Sequence, residues 1–356
     1  MNHQDVAPNH AGRSAPLWPA ALLVAAFAAG GCQSLDRYFT EHRSRSTPTT
    51  AANNGKPPAV STADSAAAAV VRAQSLENQG SYDQALAEFE SAIANNPRLT
   101  VAYLGAGDIY RQKGDYQSAE KRYSAAANLE PKNFDAQYLW GLSLQMLDRL
   151  GESVRAYLRA LTLKPDDFNA NLNLATAYLQ LNEPQQGLPY AQRAVQLDGK
   201  SGPARTNLGA IYASLGRHED AITEFQQAAE LTELNGPLLL DLAESLNKVH
   251  RYDEMVNTLE QLAKTYPTAI CYERMGVGYF NLRRYDDALR SFRKSLEIDP
   301  NYYPALNGVG VCLLNQWVFS QQQDMQAHDE AIRALRRSLQ IEREQPQILE
   351  MISRYK

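Results

Sequence analysis

The side chains best suited to chemistry are few and widely separated in this sequence. It contains three cysteines and six histidines, the residues most often found as nucleophiles and metal ligands. No two histidines have the spacing with which one helix presents a pair of metal ligands. Two glycine pairs, Gly276 with Gly278 and Gly308 with Gly310, lack the third glycine and the preceding strand of a phosphate-binding turn. We therefore expect no catalytic site, no metal site and no cofactor.

One cysteine follows an apolar amino-terminal segment. Residues 17–29 form an uncharged apolar run of 13 residues, which is too short to span a bilayer and has the length of a secretory signal. Gly30, Gly31 and Cys32 come next, and this sequence resembles the lipobox of bacterial lipoproteins. The resemblance implies cleavage before Cys32 and diacylation of Cys32; the alternative is an ordinary cleaved signal with an incidental cysteine. In that family, a residue other than Asp after the cysteine, here Gln33, favours the outer membrane.

The segment that follows Cys32 has the composition of a linker. Residues 33–64 are polar and rich in Ser, Thr, Ala and Pro, with almost no apolar periodicity. We predict a signal peptide at residues 1–31 and a lipid-anchored disordered tether at residues 32–64. The predicted location is the cell envelope, on the periplasmic face of the outer membrane.

The rest of the sequence is organised by a small residue that recurs at a fixed interval. Glycine or alanine returns after 34 residues six times and after 33 once, at positions 73, 107, 141, 175, 209, 243, 276 and 310. Such a period is typical of stacked repeats, in which each unit buries its apolar face against its neighbours. Because two helices approach closely only where no large side chain intervenes, we expect Gly107 to face Ala119.

The residues around the small position also recur. In residues 100–133 they are Gly107, Tyr110, Gly114, Tyr116, Ala119, Tyr123, Ala126 and Pro131. This pattern resembles the tetratricopeptide repeat, a pair of antiparallel helices that ends at a proline. The resemblance implies an all-α fold, a right-handed superhelical solenoid of about eight helix-turn-helix units at residues 65–343. A capping helix is expected at residues 344–356.

Three units depart from the pattern. Unit six carries Met255 and Leu262 where small residues are usual, which loosens the register. Pro189 lies inside the second helix of unit four, where it predicts a bend or a soft joint. Unit eight has about nine extra residues between its helices. Trp317 and Phe319 belong to this part of the sequence and form a possible partner patch, because an exposed tryptophan suits a binding hot spot. The alternative is that the first helix lengthens and buries Trp317 against the terminal cap at residues 347–356.

The two remaining cysteines, Cys271 and Cys312, fall in the first helices of adjacent units. We expect buried thiols that pack as small apolar residues. Export to an oxidising compartment leaves a disulfide open as the alternative.

The charge of the chain is mildly acidic and mixed in sign. The formal net charge is -5, and 21% of the residues are charged. A nucleic-acid surface would need a basic stripe, whereas the densest basic stretch, at residues 333–337, is diluted by neighbouring acids. We therefore expect no nucleic-acid partner.

The resemblance also implies which residues bind a partner. In the tetratricopeptide family the first helices line a concave groove, which suits extended or helical peptide segments. Asn173 and Asn207 occupy equivalent positions and resemble the asparagine ladder of the O-linked N-acetylglucosamine transferase; the alternative is ordinary polar surface. The predicted groove residues are Asp108, Arg111, Tyr138, Asn169, Asn173, Thr176, Asn207, Glu244, Lys248 and Arg274.

Together these features predict a non-enzymatic scaffold or adaptor that is lipid-anchored in the bacterial envelope and binds peptide or helical segments of protein partners. The alternative is an accessory factor for secretion, for exopolysaccharide export, or for substrate delivery to peptidoglycan hydrolases or proteases. An enzyme would need a cluster of titratable side chains that the sequence does not reveal. The oligomeric state is left open.

Overall fold

Helices provide all the regular secondary structure in the part of the chain that the structure describes. The computed structural model describes residues 62–232 and 235–355. The predicted signal peptide, Cys32 and the predicted tether up to residue 61 lie outside these residues. The helices, in chain order, are α1 (Thr62–Asn78), α2 (Tyr82–Asn95), α3 (Thr100–Gln112), α4 (Tyr116–Leu129), α5 (Phe134–Met146), α6 (Leu150–Leu163), α7 (Phe168–Gln180), α8 (Pro184–Leu197), α9 (Gly202–Ser214), α10 (His218–Leu231), α11 (Gly236–Lys248), α12 (Tyr252–Thr265), α13 (Ala269–Asn281), α14 (Tyr285–Ile298), α15 (Tyr303–Phe319), α16 (Met325–Ile341) and α17 (Pro346–Arg354).

Left-handed backbone separates the two helices of each pair. The odd-numbered helices from α1 to α15 are the first helices, and the even-numbered helices from α2 to α16 are the second helices. Glycine provides the positive φ in three of the turns, where the absence of a Cβ removes the steric penalty. Side chains carry that penalty in the other turns, at Asp148, Asn182, His250, Arg283, Gln321 and Gln322.

The recurring small residue makes room for an aromatic ring of the second helix. A Cβ added to Gly107 would lie 2.6 Å from Cε1 of Tyr123, and one added to Gly276 would lie 2.6 Å from Cε1 of Phe292. The three heavy atoms nearest to that Cβ position of Gly107 all belong to Tyr123, so the ring of Tyr123 fills this space, and the expectation that Ala119 faces this glycine stays a prediction. A flat ring needs the space of a missing methyl group more than alanine does.

The chain divides into two compact bodies between Ile211 and Tyr212. Within each body the two helices of a pair pack against each other, and the pairs stack in chain order. The prediction of an all-α fold built from stacked helical pairs is therefore confirmed in both bodies. Large, fully buried side chains form the two cores: Tyr123, Tyr157, Leu174 and Ile211 in the first body, and Phe225, Leu246, Met255 and Leu259 in the second.

Pro189 lies inside α8, which runs without interruption from Pro184 to Leu197. Its ring removes one backbone donor, which would otherwise bond the carbonyl of Gln185. Pro189 is exposed, so water can bond that carbonyl and no break in the helix is needed. α8 is thus continuous through Pro189, and the bend or soft joint expected at this position stays a prediction.

The prediction that Cys271 and Cys312 are buried thiols is confirmed, because both are free and buried. Burial raises the pKa of the Cys271 thiol to about 11 and that of the Cys312 thiol to about 12. Both side chains are therefore neutral at physiological pH and pack as apolar groups.

The extra residues of the last repeat lengthen its helices. α15 and α16 each have 17 residues, whereas the preceding pair, α13 and α14, has 13 and 14. α17 follows and packs on α16. Among the described residues, no helix combines the length and the apolar character that a membrane crossing requires.

Candidate protein-interaction surface

The first two predicted groove residues form an internal ion pair. Asp108 is only 7% exposed, and Nη2 of Arg111 lies 3.8 Å from its Oδ1. The hydroxyl of Tyr123 donates to the same oxygen at 2.8 Å. Burial, together with the charge of Asp108, raises the pKa of Tyr123 well above its usual range, so the hydroxyl remains a donor. Asp108 was expected to be open to a partner, and it instead accepts a hydrogen bond from the buried hydroxyl of Tyr123.

Tyr138 and Asn173 join α5 to α7. Tyr138 is 2% exposed, and its hydroxyl accepts a hydrogen bond from Nδ2 of Asn173 at 3.0 Å. Its ring stacks on Phe134 with a centroid distance of 5.8 Å. Burial raises the pKa of Tyr138, so this hydroxyl also stays neutral. The phenol is therefore mainly a packing and hydrogen-bonding group between the two helices.

A second bridge between the same helices uses two glutamines, Gln145 and Gln180. Nε2 of Gln145 donates to Oε1 of Gln180 at 2.8 Å, and the hydroxyl of Tyr157 donates to Oε1 of Gln145 at 2.9 Å. Gln145 and Gln180 are both half-buried, so part of each amide meets solvent. Their 35-residue separation, one repeat plus one residue, was the available signal that they come together.

Asn207 continues this polar row on α9. The residue is 1% exposed, and its Nδ2 donates to Oγ1 of Thr176 at 2.8 Å. Thr176 in turn donates to the carbonyl of Leu172 at 2.9 Å. Oδ1 of Asn207 is buried and has no hydrogen-bond partner within the described residues. The prediction of two free amides is thus corrected, because Asn173 and Asn207 both donate to side chains of the protein.

Asn169, at the amino-terminal end of α7, is half-buried. No hydrogen bond from its side chain is found among the described residues. Of the predicted groove residues of the first body, Asn169 is therefore the one that keeps its full amide capacity for a partner. We call the row of Gln145, Asn169, Asn173, Gln180 and Asn207 the amide row.

The predicted groove residues of the second body form a charged cluster. Glu244 on α11 pairs with Nη1 of Arg274 on α13, and Nζ of Lys248 lies 3.3 Å from the same carboxyl group. Nε of Arg274 lies 3.6 Å from Oε2 of Glu273, whose side chain is only 12% exposed. Burial raises the pKa of Glu273, and the charge of Arg274 opposes that shift. The structure therefore brings together Glu244, Lys248 and Arg274, and their part in binding a partner stays a prediction.

Asp241 also belongs to this charged cluster, and the sequence analysis did not select it. It lies one turn before Glu244 on α11, and its exposed side chain has no hydrogen bond or ion pair among the described residues. Desolvation of the Asp241 carboxyl group by the neighbouring protein atoms, and then the charge of Glu244, raise the pKa of Asp241 to about 7. Its place in the repeat, equivalent to that of Asn173 and Asn207, was the signal that could have identified it.

The two aromatic residues of the predicted partner patch have different surroundings. The ring of Trp317 packs on His328 at a centroid distance of 4.8 Å and against the edge of Tyr355 at 6.1 Å. Trp317 is half-buried and packs against the terminal cap, which is the alternative given in the sequence analysis. Phe319 is 61% exposed and lies 5.7 Å from the ring of Tyr285.

Metal-ligating side chains do not converge in the described part of the chain. Across residues 62–232 and 235–355, no group of three or more His, Cys, Asp or Glu side chains has an arrangement that could hold a metal ion. The polar groups that do converge are amides, hydroxyls and ion pairs on first helices. Such groups suit recognition of another polypeptide, since amides both donate and accept hydrogen bonds.

Paired helices that cross at small residues and separate at left-handed turns define a helical-repeat protein, a class that serves protein-protein interaction. Family models described as TPR repeat or tetratricopeptide repeat match residues 59–100, 70–127, 107–148, 172–235, 238–269 and 269–302. These matches together span more than half of the sequence. The chain belongs to the tetratricopeptide repeat family.

Solved structures with the same fold come from distant relatives. A tetratricopeptide repeat protein from Parabacteroides merdae is 16% identical, with a TM-score of 0.50 over 70% of this chain and 99% of that one. PilF of Pseudomonas aeruginosa is 18% identical, with a TM-score of 0.51 over 61% of this chain and 98% of that one. A search of curated proteins found no match. At these identities the likeness concerns the fold alone.

Proposed function

We propose that the chain is a non-enzymatic scaffold that binds segments of partner proteins along its first helices. The amide row on α5, α7 and α9 carries this proposal. Asn169 is half-buried, and its side-chain donors and acceptor are unused among the described residues. A peptide backbone supplies both donors and acceptors, so it complements such a row without requiring a particular sequence.

The charged cluster of the second body supports a more selective contact. Glu244 and Glu273 are balanced by Arg274 and Lys248, whereas Asp241 lacks a counter-ion among the described residues. A basic side chain of the partner would pair with Asp241 and favour its ionised form. Partner segments with a lysine or arginine at this point therefore fit better than acidic segments.

The amide row is tested with substitutions that leave the buried bonds intact. Partners are captured by chemical crosslinking to the full chain in cells that express it. We compare the wild type, Asn169→Ala and Asn128→Ala, the last on the exposed side of the second helix α4. Loss of recovery for Asn169→Ala alone is expected. Equal recovery from all three proteins would remove the amide row from the binding surface.

We further propose that Cys32 carries a lipid that anchors the scaffold in the bacterial envelope, at the periplasmic face of the outer membrane. The apolar run at residues 17–29 and the Gly30-Gly31-Cys32 sequence support this proposal. The test is incorporation of labelled palmitate, with Cys32→Ser compared with Cys271→Ser, whose thiol is buried. Label is expected in the wild type and in Cys271→Ser only. Label that persists in Cys32→Ser would refute the anchor.

The identity of the captured partner would show in which pathway the scaffold acts. A lipid-anchored scaffold of this kind fits an accessory role in secretion, in exopolysaccharide export, or in delivery of substrates to peptidoglycan hydrolases or proteases. Identification of the crosslinked protein by mass spectrometry distinguishes these roles directly.

A further inference from the structure

The last helix, α17, depends on the surface beneath it. It has nine residues, and its buried side chains are Ile348 and Ile352, one turn apart. Leu349, on the other side of the helix, is 54% exposed. A helix this short is marginal in water, so packing on α16 must stabilise its folded form.

The two ends of α17 are held unequally. At the amino-terminal end, Nε2 of Gln345 donates to Oγ of Ser338 at 2.9 Å, and Oε1 of Gln345 accepts from Asn307 at 2.7 Å. At the other end, Nε2 of His328 donates to the carbonyl of Tyr355 at 2.7 Å. The Gln345 end is anchored to two helices, α15 and α16, while the Tyr355 end depends on His328 and on ring contacts.

An unsatisfied donor lies under the weakly held end. Nε1 of Trp317 is buried and has no acceptor within the described residues. The Trp317 ring is covered by Tyr355 and flanked by His328. A buried indole N–H without an acceptor is unfavourable. The contact between α17 and this surface is thus incomplete, and another occupant that supplied an acceptor would fit it better.

We propose that the surface of α15 and α16 beneath α17 is a docking site for an amphipathic helix of a partner protein, and that α17 is its displaceable internal occupant. The seated α17 shows what the surface accepts, which is a short helix with two aliphatic residues four positions apart. The partner helix is expected to add a carbonyl or carboxylate acceptor for Trp317. This site is separate from the amide row, so it does not rest on that proposal.

The test releases α17 and offers the same helix in trans. The full chain carries Ile348→Asp with Ile352→Asp, and the matched control carries Leu349→Asp at the exposed position. The probe is a fluorescein-labelled synthetic peptide of residues 344–355, and its control contains the same two aspartates. In the wild type the tethered helix competes at an effective concentration on the order of millimolar.

The peptide is expected to bind the released variant at least about tenfold more tightly than the wild type or the Leu349→Asp variant, since only release removes that competition. The aspartate peptide is expected to bind none of them. Absence of binding to the released variant, or equal binding to all three proteins, would overturn the proposal. Dimerisation of the released variant without peptide would identify a second copy as the occupant, and it would also overturn the proposal.

A second measurement detects unfolding of the surface itself. In a Trp18→Phe and Trp140→Phe background, Trp317 is the remaining tryptophan. Its emission is expected to shift to longer wavelength in the released variant and to return when the peptide is added. A shift that the peptide does not reverse would show that α16 is lost with α17, and would contradict a preformed docking surface.

Discussion

Substitution of Gly141 by alanine tests the packing rule on which the fold depends. An added Cβ would lie 2.8 Å from both Cδ1 and Cε1 of Tyr157, closer than carbon atoms can pack. Tyr157 is fully buried, and its hydroxyl donates to Gln145, so the ring cannot easily move away. Overpacking of this kind costs about 1–3 kcal/mol, and the higher helix propensity of alanine offsets about 1 kcal/mol. From the middle of that range, about 2 kcal/mol, we expect a net loss of about 1 kcal/mol in the free energy of unfolding.

Gly151, on α6, provides the matched control. It is helical, and no heavy atom lies within 4 Å of the position that a Cβ would occupy. Gly151→Ala is therefore expected to stabilise the protein by about 0.5–1 kcal/mol through helix propensity alone. The two variants make the same chemical change in consecutive helices of one pair, so their difference isolates the contact with Tyr157.

The assay is urea unfolding followed by circular dichroism, together with amide hydrogen exchange of α5 and α6. Exchange is needed because stacked repeats can unfold in parts, so a single global transition does not assign the loss to one pair. We expect a lower urea midpoint and faster exchange in α5 and α6 for Gly141→Ala, and the opposite for Gly151→Ala. A Gly141→Ala protein as stable as the wild type would refute the requirement for a small residue at this crossing.

Three further substitutions test the turns and the charged cluster. His250 has φ of 61°, so His250→Gly is expected to be about 1 kcal/mol more stable than His250→Ala in urea unfolding, and equal stability would argue against strain in that turn. The folded-state pKa of Asp241, about 7, lies above the value of about 3.9 in unfolded chains, so ionisation costs stability above pH 7 and the cost disappears below about pH 4. Asp241→Asn should therefore stabilise by about 1 kcal/mol at pH 9, after allowance for solvent screening, and by nothing at pH 4; a constant difference between those pH values would contradict the shift. Arg274→Met leaves Glu273 without its close cation and should cost about 1–3 kcal/mol at pH 8 but less at pH 4, as thermal unfolding at both pH values would show.

The sequence predicted the helical pairs because their packing leaves a periodic trace. Gly107, Gly141 and Gly276 stand where a ring of the second helix must fit, and Gly310 makes room for Leu335 in the same way. The sequence did not show which side chain fills the space next to Gly107, because Ala119 and Tyr123 lie one turn apart on the same side of α4. Only the crossing geometry of α3 and α4 decides which of the two residues covers the glycine.

The candidate surface was harder to predict because exposure depends on the neighbouring repeat. Asn207 is equivalent to Asn173 in sequence, yet Asn207 is buried because Thr176 of the preceding repeat reaches it. Asp108 is buried beneath the second helix of its own pair, where the hydroxyl of Tyr123 donates to it. Trp317 is covered by Tyr355 at the end of α17, and the sequence analysis gave this contact only as the alternative to an exposed patch, because it joins residues far apart in the chain.

Site-specific photocrosslinking gives the most direct test of partner binding on the first helices. A benzophenone amino acid replaces Asn169 on α7 or, as the control, the exposed Asn128 on α4. The full chain is irradiated in the cells that express it, and its covalent protein adducts are quantified. We predict a discrete adduct from position 169 and none from position 128. Equal adduct yields from the two positions, or an adduct from position 128 alone, would contradict binding along the first helices.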